Sequence, residues 1–327
     1  MINKSNVDNL GFIDEELDVS LDLVEEIGKL KKQKNAVVLA HYYENSEIQD
    51  IADFVGDSLA LSQKASEINT SIIVFAGVKF MAETAKILSP KSKVLLPDLN
   101  AGCSLAESCN YADFKKFIQG NPGYRVVTYV NTSAAVKSLS DICCTSSNAV
   151  KVINSIPRDV PIIFAPDKNL GGYLKAITGR ENMLIWDGAC HVHSKFSLEK
   201  LVALKKEHSN AKVIAHPECT KPILLLADFI GSTAELLNFT KSDDSKEYIV
   251  VTEAGILHQM VRLSPEKTYI PAPPDDSTCG CSECSFMKLI TLKKLYLTLK
   301  YEKPEISLDS REIELARLPI EKMLALK

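Results

Sequence analysis

The sequence predicts an α/β protein built from three pseudo-threefold-related αβα units, each of βαβαβ type, around a central site. The first observation is a layout that recurs three times, in Val37–Leu61, Val126–Val150 and Val213–Leu237. Each copy has an apolar run, a polar strand end, a stretch with helical spacing and a small-residue turn. When the copies are aligned on His41, Tyr129 and His216, Asp53, Asp141 and Asp228 each fall 12 positions later, and Ser58, Ser146 and Thr233 each fall 17 later. The copies are offset by 88 and then 87 residues, too long a period for a common solenoid and suited to a βαβαβ layer used three times. The second observation is that the apolar runs are short and rich in β-branched residues, as buried parallel strands are. The third is that Cys103 and Cys190 also lie 87 apart, each after an apolar strand and a turn, while the third unit offers Cys279, Cys281 and Cys284.

Taken in order, residues 1 to about 19 read as a loose arm and Leu21–Leu30 as a first helix. Unit one follows with strands near 36–40, 72–76 and 93–97. Its helices are expected near 46–55, with Ile48, Ile51, Ala52 and Val55 on one face, and near 78–88. Asn121-Pro122-Gly123 is a turn. Unit two has strands near 125–130, 161–165 and 183–187 and helical stretches near 133–139, 146–154 and 170–178, and Gly171-Gly172 suggests a flexible strand-end loop. Unit three has strands near 212–215 and 248–252 and helices near 197–208, 221–227, 232–238 and 255–261. Pro271 to Asp276 is a stiff turn before the cysteine cluster, Phe286 onward has helical spacing, and Ser310–Leu326 reads as a terminal helix. The expected units are 1–107, with 285–327 packing back on it, then 108–190 and 191–284.

Composition narrows the function. The 327 residues can bury a large core, and 46% apolar with 24% charged residues is ordinary for a globular protein. A net charge of −4 disfavours nucleic acid and anionic membranes as partners. The polar amino terminus is not a signal peptide and no run approaches the ~20 apolar residues of a membrane span, so a cytoplasmic location is expected. Nine cysteines there read as thiols or metal ligands rather than disulfides.

The strand ends carry the chemistry, because ligands of open α/β sheets bind at the carboxyl edge. His41 and His216 occupy one repeat position, and Glu218, two residues past His216, is the best general-base candidate. Tyr43 stands two residues past His41 in the same way. His193 lies three residues after Cys190, within reach of one pocket, whereas His191 and His258 are ambiguous and His208 reads as a surface residue. Ser58, Ser146, Ser232 and Thr233 fall at expected helix starts, where hydroxyls and free N–H groups cap the helix or bind carboxylate and phosphate. His41, Tyr129, Asn131 and His216 support them in the expected anion-binding set, and Glu218 joins them as an expected substrate-binding residue. Three distant cysteines can hold zinc or an iron–sulfur cluster, or pack as small apolar groups. Cys109, Cys143, Cys144 and Cys219 fit the last description.

Together the motifs Ala40-His41-Tyr42-Tyr43, Ala52 to Ser58, Tyr129-Val130-Asn131, Thr145 to Ala149, Ala215 to Cys219, Gly231-Ser232-Thr233 and Cys284 to Lys288 resemble the quinolinate synthase family, in the right order over most of the chain. The resemblance implies a [4Fe–4S] cluster on Cys103, Cys190 and Cys284 and a central active site. It implies condensation of iminoaspartate with dihydroxyacetone phosphate, with loss of phosphate and water, to quinolinate for NAD synthesis. L-aspartate oxidase or aspartate dehydrogenase would then supply the iminoaspartate. Glu218, Tyr43, His193 and His41 are the expected catalytic residues. Two features depart from the pattern: Ser194 stands where the family has an acidic residue, and repeat spacing puts the third cysteine near 277, closer to Cys279. Cys284 is preferred because the family's Cys-x-x-Met-Lys pattern fits only there; Cys279 and Cys281 are candidates for redox-sensitive pairing with that ligand, an intra-pair disulfide being strained at C-x-C spacing. The competing readings are a zinc-stabilised binding protein using Cys279, Cys281, Cys284 and His258, and an iron–sulfur hydro-lyase.

Overall fold

The computed structural model describes Val7, residues 9–276 and residues 282–326. Cys279 and Cys281, and with them their expected pairing and the zinc alternative, lie outside the described residues. Unit one forms β1 (Ala36–His41), β2 (Phe54–Gly56), β3 (Ile72–Ala76) and β4 (Lys93–Leu95) in the order β2-β1-β3-β4. Unit two forms β5 (Arg125–Tyr129), β6 (Ile142–Cys144), β7 (Ile162–Ala165) and β8 (Met183–Ile185) in the order β6-β5-β7-β8. Unit three forms β9 (Lys212–Ala215), β10 (Phe229–Ile230), β11 (Glu247–Val251) and β12 (Thr268–Pro271) in the order β10-β9-β11-β12. Every pairing is parallel, so the chain is α/β with one topology used three times. The central strands are buried on both faces, which is why β3 reads IIVFA without alternation.

The matched aspartates explain the edge strands. The Asp53 carboxylate accepts the Val38 N–H at 2.7 Å, Asp141 accepts Val126 at 2.8 Å and Asp228 accepts Val213 at 2.7 Å. Each aspartate N–H returns a bond to the same residue's carbonyl. The clip turns the chain into the edge strand beside the first strand of its unit. It also ends the helix expected over 46–55 early: that helix is Ser46–Ile51, and Val55 lies in β2. Strands of two or three residues carry too little periodicity to be read from sequence.

Two further expectations are corrected. Gly171 and Gly172 lie inside the helix Lys168–Thr178, not in a loop. A Cβ on Gly171 would stand 2.7 Å from Ile185 Cγ2 and 2.9 Å from Phe164 Cδ1, so this glycine serves close helix–sheet contact. The arm near residue 10 is docked rather than loose: Leu99 N–H donates to Gly11 O, Tyr301 Oη donates to Glu15, and Ile13 is buried. At the other end, the helix Leu292–Tyr301 packs on the helix Leu23–Gln33, while Ser310–Ala325 lies against β6 and the turn of helix Ala134–Lys137.

Candidate active site

His41, Tyr129 and His216 stand at the carboxyl ends of β1, β5 and β9 and line one cavity that opens to solvent at its mouth. The same cavity is lined by Tyr43, Asn131 and Glu218, each two residues further on, by Ser58, Ser146 and Thr233, and by Cys103, Cys190 and Cys284. Three positions of the repeat thus converge from three units.

The two histidines adopt one tautomer for one reason. The Tyr43 N–H donates to His41 Nδ1 at 3.2 Å, and the Glu218 N–H donates to His216 Nδ1 at 3.3 Å. Each Nε2 therefore carries the proton, and that of His216 donates to Ser146 Oγ at 3.2 Å. Burial pushes both imidazoles down to about 3, so both are neutral donors.

A continuous chain of side chains crosses the site. Tyr129 Oη donates to Glu218 Oε1 at 2.6 Å, and His193 Nδ1 meets Glu218 Oε2 at 3.1 Å. His193 Nε2 lies 2.9 Å from Thr252 Oγ1, which lies 2.8 Å from Tyr43 Oη, which lies 2.7 Å from Thr233 Oγ1. Burial alone raises the Glu218 carboxyl, but the His193 charge and bond, with His216 and Tyr129, outweigh it and hold Glu218 below the usual carboxylate range. Burial pushes the Tyr43 phenol well up, so it stays a donor. The arrangement holds one buried carboxylate and can pass a proton between Tyr43 and Glu218 through Thr252 and His193.

Burial pushes the thiols of Cys103 and Cys284 up to about 12 and 11, and that of Cys190 well up. The backbones of Cys190 and Cys284 are held by buried carboxylates. Asp167 Oδ2 accepts the Cys190 N–H at 3.3 Å, and Glu253 Oε1 accepts the Cys284 N–H at 3.0 Å. Lys288 Nζ pairs with Glu253 at 3.3 Å and donates to Tyr43 O at 2.7 Å. Ser104 and His191, each following a cysteine, bond to each other at 2.8 Å. Cys190, His193 and Glu218 bring donor atoms within 4.8 Å of one another, a set able to hold a metal ion.

Other expected residues are placed elsewhere. The Ser232 hydroxyl accepts the Glu235 N–H in a capping box and is not among the cavity's lining residues. Ser146 lies in a turn before the helix Ala149–Ser155, and Ser58 opens the helix Ser58–Glu67 with Asp57 as its cap. His208 pairs with Glu247 and His258 with Asp50. Cys109, Cys143, Cys144 and Cys219 are buried away from the cavity. Ser194 donates its N–H to Cys190 O. Sequence reasoning missed Thr252, Glu253 and Asp167. The last two follow strand ends 86 positions apart, a spacing that would have found them.

The chain matches the family described as Quinolinate synthetase A protein over residues 25–325. It is 54% identical over 309 residues to the quinolinate synthase of Synechococcus sp., covering 94% of this chain and 96% of that one. It is 56% identical over 305 residues to that of Thermosynechococcus vestitus, covering 93% and 95%, and 55% identical over 307 residues to that of Chloroherpeton thalassium, covering 94% and 95%. With such identity running nearly end to end in both chains, the protein belongs to the quinolinate synthase family.

Proposed function

We propose that this protein is a quinolinate synthase, condensing iminoaspartate with dihydroxyacetone phosphate to quinolinate, with release of phosphate and water, for NAD synthesis. The observation that carries the reading is the convergence of Cys103, Cys190 and Cys284, from three units, on the cavity that also holds Glu218. The donor set fits a [4Fe–4S] cluster. Those three cysteines are free and partly buried, and a buried thiolate is costly unless a cation or a metal holds its charge. When bound through three cysteines, such a cluster offers an open iron that polarises a substrate oxygen as a Lewis acid.

The chain's own residues do the rest. His41 and His216 present neutral Nε2–H donors, and Ser58, Thr233 and the Asn131 amide add polar contacts for the carboxylates and phosphate. Asn131 Oδ1 is buried with no hydrogen-bond partner among the described residues, an acceptor left for a ligand. Glu218 accepts protons as general base, His193 orients it, and Tyr43 returns protons during phosphate elimination and loss of water. His41, His216 and Glu218 are all nearly inaccessible to solvent, and that low-dielectric setting strengthens their contacts. A dehydrogenase or oxidase acting on aspartate in the same cytoplasmic compartment is the reaction class that supplies iminoaspartate. No described helix is long and apolar enough to cross a membrane.

The test is anaerobic purification with iron and sulfide counts and an absorption spectrum, followed by assay with dihydroxyacetone phosphate and iminoaspartate generated in situ. Four irons per chain and quinolinate formation are expected. Zinc in place of iron, or turnover of a hydroxy acid instead, would reject the reading.

A further inference from the structure

The residue two positions past each strand end has to point into the cavity, and the backbone shows how two of the three are held there. The helices Ser46–Ile51, Ala134–Lys137 and Lys221–Leu224 each begin five positions after His41, Tyr129 and His216. Eight positions after His41 stands Gln49, which is 1% exposed. Its Nε2 donates to Tyr42 O at 2.9 Å and Glu44 O at 2.8 Å, the carbonyls on either side of Tyr43. Eight positions after Tyr129 stands Lys137, which is fully buried. Its Nζ donates to Val130 O at 2.7 Å and to Thr132 O, the carbonyls on either side of Asn131. Two chemically different side chains make one pair of bonds at one repeat position.

We infer that Gln49 and Lys137 are positioning residues that clamp the carbonyls flanking Tyr43 and Asn131 and so aim those side chains at the substrate. The inference rests on the quinolinate-forming reading above. Neither clamp touches the cavity, yet each is buried among carbonyls rather than in the apolar core, where Gln and Lys are rarely found without a task. The third unit supports the assignment by its difference. Leu224 occupies the matching position and has no donor, but there the first carbonyl belongs to Pro217, whose ring fixes φ without a clamp. The Lys137 ammonium also sits 5.3 Å over the ring of Phe80, which lines the cavity, so this clamp joins the Asn131 loop to a wall residue of the first unit.

The experiment uses the full-length, cluster-loaded protein with Lys137→Met, Lys137→Gln and Gln49→Leu, the last copying the third unit. Steady-state constants are read beside amide hydrogen exchange of peptides covering 129–133 and 41–45. Lys137→Met should keep the wild-type iron content, lose about 10²-fold in kcat/KM through misplacement of Asn131, and exchange faster over 129–133. Lys137→Gln, which installs the donor of the first unit, should recover most of both losses. The inference is overturned if Lys137→Met leaves both readouts unchanged, or if Lys137→Gln is as impaired as Lys137→Met. Should Lys137→Met not fold, Gln49→Leu carries the same test at Tyr43, with faster exchange over 41–45 expected and unchanged exchange and kinetics overturning it. If the wild-type protein makes no quinolinate, the functional reading fails, and the exchange measurements still decide whether the clamps hold the two loops.

Discussion

At the scale of single residues, the site depends on keeping protons where burial puts them. Among the described residues, Glu218 is the carboxylate held between a phenol and an imidazole, by Tyr129 and His193. Glu218→Gln keeps the shape and removes the proposed base, so turnover should fall ~10²–10⁴-fold with the iron content unchanged. Wild-type turnover in a fully loaded variant would move the base elsewhere. The histidines give a pH signature. His41 and His216 are held down to about 3, against about 6.5 in the unfolded chain. Below about pH 6.5 the unfolded state therefore binds more protons than the folded one, so stability falls as pH falls, until the folded groups titrate near 3. In cluster-free protein each should cost up to ~1.4 kcal/mol per pH unit in that window. Urea unfolding at about pH 7 and about pH 5 measures it, and a slope unchanged in His41→Gln would refute the assignment.

At the scale of elements, the aspartate clip makes a prediction the repeat itself controls. Each of Asp53, Asp141 and Asp228 satisfies a strand N–H of its unit, at Val38, Val126 and Val213, all buried residues. Replacing any one by alanine leaves that donor unpaired and should destabilise by about 1–3 kcal/mol, with similar values in all three units. Chemical denaturation of the three variants checks this, and one tolerated substitution beside two damaging ones would break the equivalence. The repeat was visible because a carboxylate at fixed spacing survives in the sequence. The edge strands it organises were not visible, because β10 is Phe229–Ile230 alone and its pairing comes from Ile214 and Ala215 on β9.

At the scale of the whole molecule, the three units meet at a centre ringed by Cys103, Cys190 and Cys284. A group bound by all three binds the folded state only, so its loss should lower the thermal midpoint as well as end activity. Cys103→Ser, Cys190→Ser and Cys284→Ser should each lose the bound iron and melt earlier, while Cys109→Ser and Cys143→Ser should keep it. Iron retained in Cys284→Ser would reassign the third ligand.

The sequence by itself determined the fold class, the threefold repeat, the strand-end residues and the cysteines of the first two units. Each of these is a local pattern of apolar runs and fixed spacings, and such patterns are set by the chain before it packs. Only the tertiary structure decided that Ser232 serves a helix cap, that Thr252 joins Tyr43 to His193, and that Glu253 and Lys288 stand behind Cys284. Thr252 is 209 residues from Tyr43 in the chain, and a contact across units leaves no trace in local spacing. It exists because β11 and β1 end at the same cavity, where burial leaves each polar group only the partner that the facing unit supplies.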